Sequence, residues 1–161
     1  MPKVFIPLLA VAAIFIWFTG GAMPPVVASH FAASGMANGF MPRGSYVAIM
    51  LGVTIVAPVL VALSGSLTRI LPVQLINLPH RQYWLAPQRR AATIASLAAL
   101  SVHFASALVI FLCFVHWLVV KANAAQPPHL EQAPFFAGLA LFVVAVALWF
   151  IYLLGRFRNV R

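Results

Sequence analysis

Carboxylate side chains are almost absent from this sequence. Glu131 is the single acidic residue among 161, and the chain contains no aspartate. Paired catalytic carboxylates, aspartate-oriented serine–histidine triads, calcium or magnesium cages and acidic nucleotide–metal sites therefore all lack their required residues. We expect the chain to have no enzymatic activity when it acts alone.

Cysteine is also scarce. The single thiol, Cys113, lies in an apolar run and can form neither an internal disulfide nor a thiolate metal cluster. Its position is typical of a small residue that fills space between apolar neighbours. The sequence predicts no metal site and no cofactor.

Charged side chains are rare, and apolar side chains dominate. Only 7% of residues are charged and 64% are apolar, with a mean hydropathy of +1.04, whereas soluble domains carry about 25% charged residues. Apolar stretches occupy residues 4–22, 45–65, 93–120 and 135–155, and each reaches the roughly 17–25 residues that a membrane-crossing helix needs. We therefore predict an all-α polytopic membrane protein, a single domain over residues 1–161 with four transmembrane helices. The helix of the third and longest stretch is either tilted or extends beyond the hydrocarbon.

The basic residues predict the orientation of these helices. If the N-terminus lies inside, eight of the ten Lys and Arg residues fall on the cytoplasmic side, in agreement with the positive-inside rule. We therefore predict that both termini lie inside. Because hydrophobic stretches separate the basic residues, they form no continuous surface for nucleic acid, and we expect anionic lipid head groups as their partners.

The loop between the first two stretches, residues 23–43, has the composition of an ordered outer cap. Pro24 and Pro25 end the first helix, and Pro42 closes the loop. Gly35 and Gly39 permit the positive φ angles of tight turns. We expect a compact folded segment on the outer surface.

The residue order of this cap resembles that of the bacterial DUF1648 family, a small membrane domain also found at the front of SdpI-like immunity proteins. The positions that follow the family pattern are Pro24, His30, Phe31, Gly35, Asn38, Gly39, Phe40 and Arg43. Two positions depart from it: Ala28 stands where the family has a second Pro, and Ala32 stands where it has Asn. Position 38 is Asp or Asn in the family, and this chain has Asn38 instead of the Asp. The resemblance covers residues 4–65 and implies a protein of the bacterial inner membrane, with immunity or signal relay known for longer relatives. We expect His30 to bond to the loop backbone rather than to bind a ligand or metal.

The loop between the second and third stretches, residues 70–90, suits the lipid head-group layer. Three prolines interrupt any long helix, and aliphatic, aromatic and basic side chains alternate along the loop. The residues expected to contact anionic lipid or a partner protein are His80, Arg81, Tyr83, Trp84, Arg89 and Arg90. A lipid anchor is the simpler interpretation of this loop, and a docking site for another protein is the alternative.

Two histidines, His103 and His116, lie within the third stretch. Polar residues inside a membrane usually face protein or water. Thirteen residues separate the two, about 20 Å along a helix, so they cannot ligate one haem iron together. We expect His116 to lie at the membrane interface beside Trp117, and His103 to hydrogen-bond a neighbouring helix.

Two further features of the sequence give structural expectations. Ala91, Ala95 and Ala99 recur every four residues, a spacing that either lets a neighbouring helix approach closely or merely reflects an alanine-rich helix. The last loop, residues 121–134, contains His129 and Glu131. We interpret that loop as a plain solvated connection rather than a metal site.

These observations predict a non-catalytic membrane interaction protein. It would be an accessory subunit of a larger membrane complex or an immunity or signalling component, bound to other subunits or to itself. The alternative is a small homo-oligomeric transporter or channel in which His30 and His103 line a polar path, although the other three stretches offer few polar residues for a wet pore. A haem-binding electron-transfer subunit is a third possibility.

Overall fold

A computed structural model describes residues 4–158 of the chain. Their helices and strands follow in the order α1 (Phe5–Gly21), β1 (Val26–Phe31), β2 (Ala37–Pro42), α2 (Arg43–Leu67), a 3₁₀ turn (Val73–Leu75), α3 (Arg81–Trp84), α4 (Pro87–Ala124) and α5 (Gln132–Arg158). The molecule is mostly helical, as the sequence predicts.

Three helices are long and apolar enough to cross a membrane, namely α2, α4 and α5. This agrees with the predicted transmembrane helices. The first predicted span forms an apolar helix of 17 residues, about 26 Å long at 1.5 Å per residue. The 38 residues of α4 extend about 57 Å, so this helix continues beyond the apolar run at both ends.

The outer cap is a β-hairpin, which the all-α prediction did not include. Strands β1 and β2 pair antiparallel, with Val27 opposite Met41, and the register shifts near His30. Gly35 lies in the turn between the strands with φ +84°, a conformation that only glycine adopts readily. The compact cap is therefore present, but as a sheet rather than a loop.

The helices α1, α2 and α4 enclose a core of small and aliphatic side chains. This core cluster consists of Phe5, Ala12, Ala62, Val102, Ala105 and Val109. Helices α2 and α4 approach closely at Gly65, where an added Cβ would lie 2.5 Å from Ser101 Oγ and 2.6 Å from the Leu97 carbonyl oxygen. Close helix packing through small residues is characteristic of membrane bundles.

None of the described helices packs closely on Ala91, Ala95 and Ala99, because all three face outward. The opposite side of α4 packs against α2, at Leu97 and Ser101. Consecutive helical residues are rotated by about 100°. The three alanines therefore point in a different direction from Leu97 and Ser101. The alanines are thus part of an uncovered surface.

Helix α5 lies at the periphery. None of its most apolar window is buried, and it packs chiefly along α4. Phe111 and Phe142 stack with ring centroids 4.3 Å apart, and Trp149 Nε1 donates to the Leu100 carbonyl at 3.1 Å. One side of α5 is therefore fixed to α4 and the rest of its surface is open.

Candidate functional site

His116 is the centre of a buried polar network near the hairpin end of the helices. Its side chain is 0% exposed, so it faces protein on all sides, and its position at the membrane interface stays a prediction. Its Nε2 lies 2.8 Å from Thr19 Oγ1 and its Nδ1 lies 3.0 Å from the Tyr46 hydroxyl. The adjacent Trp117 is exposed, because one residue step turns the helix by about 100°.

The hydrogen bonds of this network assign the imidazole proton. Thr19 Oγ1 donates to the Phe15 carbonyl at 2.6 Å, since a carbonyl can only accept. The same hydroxyl oxygen must then accept a hydrogen bond from His116 Nε2, which leaves Nδ1 to accept from Tyr46. Every polar atom of the network is satisfied, and the network joins α1, α2 and α4. Both ring nitrogens are used, so His116 offers none to an iron.

Asn123 is a second buried polar residue, and sequence reasoning did not identify it. Its Oδ1 accepts from the Ala28 amide at 2.8 Å, and its Nδ2 donates to the Ala28 and Val119 carbonyls, each at 2.9 Å. These bonds fix β1 to the C-terminal end of α4. In the sequence, the feature that could have identified Asn123 is its amide side chain at the end of a long apolar run.

The motif residues of the outer cap build the hairpin rather than converge on a ligand site. Arg43 Nη1 donates to the Met23 carbonyl at 2.8 Å, which fixes the entry of the hairpin. His30 is exposed and its Nδ1 lies 3.0 Å from Ser29 Oγ, so its partner is a neighbouring hydroxyl rather than the expected backbone. Gly39 packs on His30, since an added Cβ would lie 2.9 Å from His30 Cβ. The structure places the remaining motif residues Pro24, Asn38 and Phe40 on the exposed surface and Phe31 at a half-buried position.

The last loop is ordered against the hairpin, so its interpretation as a plain connection is incomplete. The Leu130 amide donates to the Gly35 carbonyl at 2.8 Å, and the Ala37 amide donates to the Pro128 carbonyl at 3.4 Å. Gln132 Nε2 also donates to the Ala33 carbonyl. Within residues 4–158, no group of three or more His, Cys, Asp or Glu side chains is arranged to hold a metal ion.

The inner loop contacts the end of α5 through Trp84. Its Nε1 donates to the Phe157 carbonyl at 2.7 Å, and the Trp84 carbonyl accepts from Thr93 Oγ1 at 2.8 Å. The rings of Trp84 and Phe157 meet edge to face at 5.4 Å. Trp84, expected to contact lipid or a partner, thus connects the inner loop to α4 and α5.

Three of the other predicted inner-surface residues, His80, Arg81 and Tyr83, line one open cavity. The cavity has a volume of about 570 Å³ and is lined by Ile76, Asn77, Leu78, His80, Arg81, Gln82 and Tyr83. Arg89 places its guanidinium 3.9 Å from the centroid of the Tyr83 ring. Arg90 lies farther away, with Nη2 3.4 Å and 3.5 Å from the Arg69 and Leu71 carbonyls.

His103 lies on an outward face of α4. It is exposed and, within residues 4–158, makes no hydrogen bond, so the expected bond to a neighbouring helix is absent from the described residues. Three further exposed residues lie on the same face of the helix, namely Ala99, Ile110 and Trp117. Ala99 is four residues from His103, and Ile110 and Trp117 follow His103 in steps of seven. We call this surface, Ala92 to Trp117, the open face of α4.

Two shallow grooves border the open face. One, of about 400 Å³, lies between α1 and α4, and the other, of about 320 Å³, lies between α4 and α5. Ile110 and Phe114 line both grooves. The C-terminal half of the open face, around Ile110 and Phe114, therefore lies between α1 and α5.

No protein-family model, curated protein or solved structure matches this chain. The resemblance of residues 4–65 to the DUF1648 family thus stays a prediction from the sequence. Function has to be inferred from the geometry of the described residues.

Proposed function

We propose that this chain is a non-catalytic integral membrane protein that binds a different membrane protein through the open face of α4. The partner would contribute a transmembrane helix to that face. The chain would then act as an accessory subunit of a larger membrane complex, or as an immunity or signalling component. The resemblance to the DUF1648 family is compatible with this class, although the longer relatives that act in immunity or signal relay carry an additional C-terminal module.

The proposed membrane arrangement has four crossings with both termini inside, in the inner membrane of a bacterium. Helix α1 supports a fourth crossing, since Phe5 and Ala12 share a core cluster with Val102 and Val109 of α4. Its 17 residues match the lower limit of roughly 17 for a spanning helix. The basic residues support the orientation, because eight of ten then lie inside.

The observation that carries the proposed function is the exposure of His103. In the proposed arrangement this imidazole faces lipid, where a polar side chain is costly unless it contacts protein or water. Alanines surround it, at Ala92, Ala95 and Ala99, and small residues let a second helix approach closely enough for a hydrogen bond. Ser96 and Ser106 on this side of α4 donate to their own helix carbonyls at 3.0 Å and 2.9 Å, so they add little polarity.

Charge distinguishes a different protein from a second copy of this chain as the partner. The inner ends of α4 and α5 carry Arg89, Arg90, Arg156 and Arg158. A second parallel copy would bring the same positive charges together, which is unfavourable. A partner helix with acidic residues at its cytoplasmic end complements these arginines and can place a hydrogen-bonding side chain opposite His103.

The transporter alternative has less support from the geometry. His30 lies on the exposed hairpin and His103 on the outward side of α4, so the two do not share an enclosed path. The interior between α1, α2 and α4 is occupied by the apolar core cluster and by the His116 network. Haem ligation by His116 is also disfavoured, because both of its ring nitrogens form hydrogen bonds.

Mild-detergent purification from native membranes tests the proposed function. We expect one foreign membrane protein to co-purify in stoichiometric amount. The variant His103→Leu should reduce its recovery by roughly three- to twentyfold, the range that corresponds to one interhelical hydrogen bond. Tyr152→Leu is the matched control, because Tyr152 is an exposed polar residue of α5 away from the open face. A lone monomer or a homo-oligomer would contradict the proposal.

A further inference from the structure

The cavity of the inner loop combines an apolar wall with a polar rim. Ile76 is buried and Leu78 is half-buried, whereas Asn77, His80 and Arg81 are exposed. A ligand that enters the cavity therefore meets aliphatic side chains on one side and hydrogen-bond donors on the other. This is the surface that an amphipathic molecule requires.

The Arg81 guanidinium lines this cavity, the Arg89 guanidinium lies against the lining residue Tyr83, and neither forms an ion pair with a residue in the range 4–158. Arg81 uses Nη1 to donate to the Gln74 carbonyl at 2.9 Å, which fixes its position and leaves other guanidinium N–H groups available. Arg89 stacks on Tyr83, a residue of the cavity lining. The single acidic side chain of the sequence, Glu131, lies 3.7 Å from Lys121, at the opposite end of α4. The guanidinium groups thus attract an anion that the described chain does not supply.

The backbone holds the cavity in shape. His80 adopts a left-handed conformation, with φ 49°, directly before α3, and the Tyr83 and Trp84 amides donate to its carbonyl at 2.9 Å and 3.1 Å. Trp84 is bonded to the end of α5. Arg81 and Tyr83 are therefore presented from a short helix that is fixed at both ends.

We propose that this cavity binds the phosphate of an anionic phospholipid from the cytoplasmic leaflet. Arg81 forms a charge-assisted hydrogen bond with a phosphate oxygen, a geometry for which guanidinium is well suited. Arg89 and His80 contribute further donors at the rim, and the upper acyl chain lies along Ile76 and Leu78. The cytoplasmic location rests on the orientation proposed above, whereas the lipid chemistry rests on the cavity alone.

Native mass spectrometry of the purified full chain tests this site. The protein is exchanged into detergent with either phosphatidylglycerol or phosphatidylcholine, and retained lipid is counted. We expect one phosphatidylglycerol per chain and no retained phosphatidylcholine. Equal retention of both lipids, or of neither, would overturn the proposal.

Variants distinguish a specific site from general charge attraction. Arg81→Gln should weaken phosphatidylglycerol binding about fivefold or more, the effect of losing one nearby basic residue. Arg158→Gln removes the same charge from the end of α5 and should change binding less than twofold, and Arg81→Lys should retain part of the affinity. Equal losses in Arg81→Gln and Arg158→Gln would mean diffuse attraction and would contradict a site. If Arg81→Gln does not fold, Arg89→Gln gives the same comparison.

A competition experiment identifies the source of the phosphate. Inorganic phosphate at millimolar concentration should not displace the lipid, because it makes no contact with Ile76 or Leu78. Displacement would indicate a soluble anion as the ligand and would contradict the lipid assignment. In detergent these lipid-binding measurements need no partner protein and no defined orientation. The lipid site can therefore be refuted while the proposed function holds, and the proposed function can be refuted while the lipid site holds.

Discussion

Asn123 on α4 and Ala28 on β1 exchange a pair of hydrogen bonds. The Asn123 side-chain oxygen accepts from the Ala28 amide at 2.8 Å and its nitrogen donates to the Ala28 carbonyl at 2.9 Å. Both residues are buried, and the strand register is irregular next to Ala28. The Asn123 side chain thus bonds the Ala28 amide and carbonyl as the backbone of a neighbouring strand would. These bonds fix the hairpin to α4.

Asn123→Leu should detach the hairpin from α4. The change leaves the Ala28 amide and carbonyl buried without their partner, at a cost of about 1–3 kcal/mol for each unsatisfied group. We expect a lower unfolding temperature in detergent and faster hydrogen exchange across Val26–Phe31. Asn38→Ala, on the exposed part of the hairpin, serves as the control and should change stability by less than about 0.5 kcal/mol. Equal behaviour of the two variants would show that the Asn123 bonds contribute nothing.

The His116 network should behave as one energetic unit. Tyr46→Phe removes the donor to Nδ1 and should destabilise by about 1–3 kcal/mol, because a buried acceptor loses its partner. His116→Leu also breaks the bond to Thr19. The double variant should lose less free energy of unfolding than the sum of the losses in the two single variants, with a coupling of at least about 0.5 kcal/mol. A double-mutant cycle in detergent measures this coupling, Tyr152→Phe is the exposed control, and strict additivity would refute the shared network.

Gly35→Ala should lower the folded yield. The residue has φ +84°, and an added Cβ would lie 2.5 Å from the Leu130 carbonyl oxygen. Both the positive φ and this contact oppose any side chain. Gly44→Ala is a matched control, since an added Cβ there meets no atom within 4 Å. Monodisperse yield after purification checks the prediction, and equal yields would show that the turn tolerates a side chain.

The proposed orientation predicts the location of the C-terminus. A reporter active only in the cytoplasm should be active when fused after Arg161, and one active only in the periplasm should be inactive there. Fusions within the hairpin, after Asn38, should give the reverse pattern. A periplasmic C-terminus would contradict the four-crossing arrangement, because three crossings from an inside N-terminus end outside.

The helices were predictable because long apolar runs leave few alternatives in a membrane. The predicted stretch 45–65 became Arg43–Leu67, and 135–155 became Gln132–Arg158, since the polar ends of a helix carry no hydropathy signal. The hairpin was not predictable as a sheet. Its stability depends on Asn123 and on Leu130, which are distant in sequence from Val26–Phe31.

The direction in which a side chain faces was the least predictable property. Most α4 residues are apolar, so no amphipathic pattern showed that His116 faces inward and His103 outward. The same ambiguity affected Ala91, Ala95 and Ala99, whose spacing is compatible with packing against another helix of this chain or with an uncovered surface. The inner-loop residues were identified as a group, but the bond from Trp84 to Phe157 required the fold.

Photo-crosslinking from the open face tests the central claim most directly. A photoreactive residue in place of Ala99, one helical turn from His103, is activated in native membranes, and the products are identified by mass spectrometry. The account predicts one crosslinked foreign membrane protein, and no such product from a photoreactive residue in place of Leu148 on the exposed side of α5. Crosslinks to lipid alone, or only to a second copy of this chain, would contradict it.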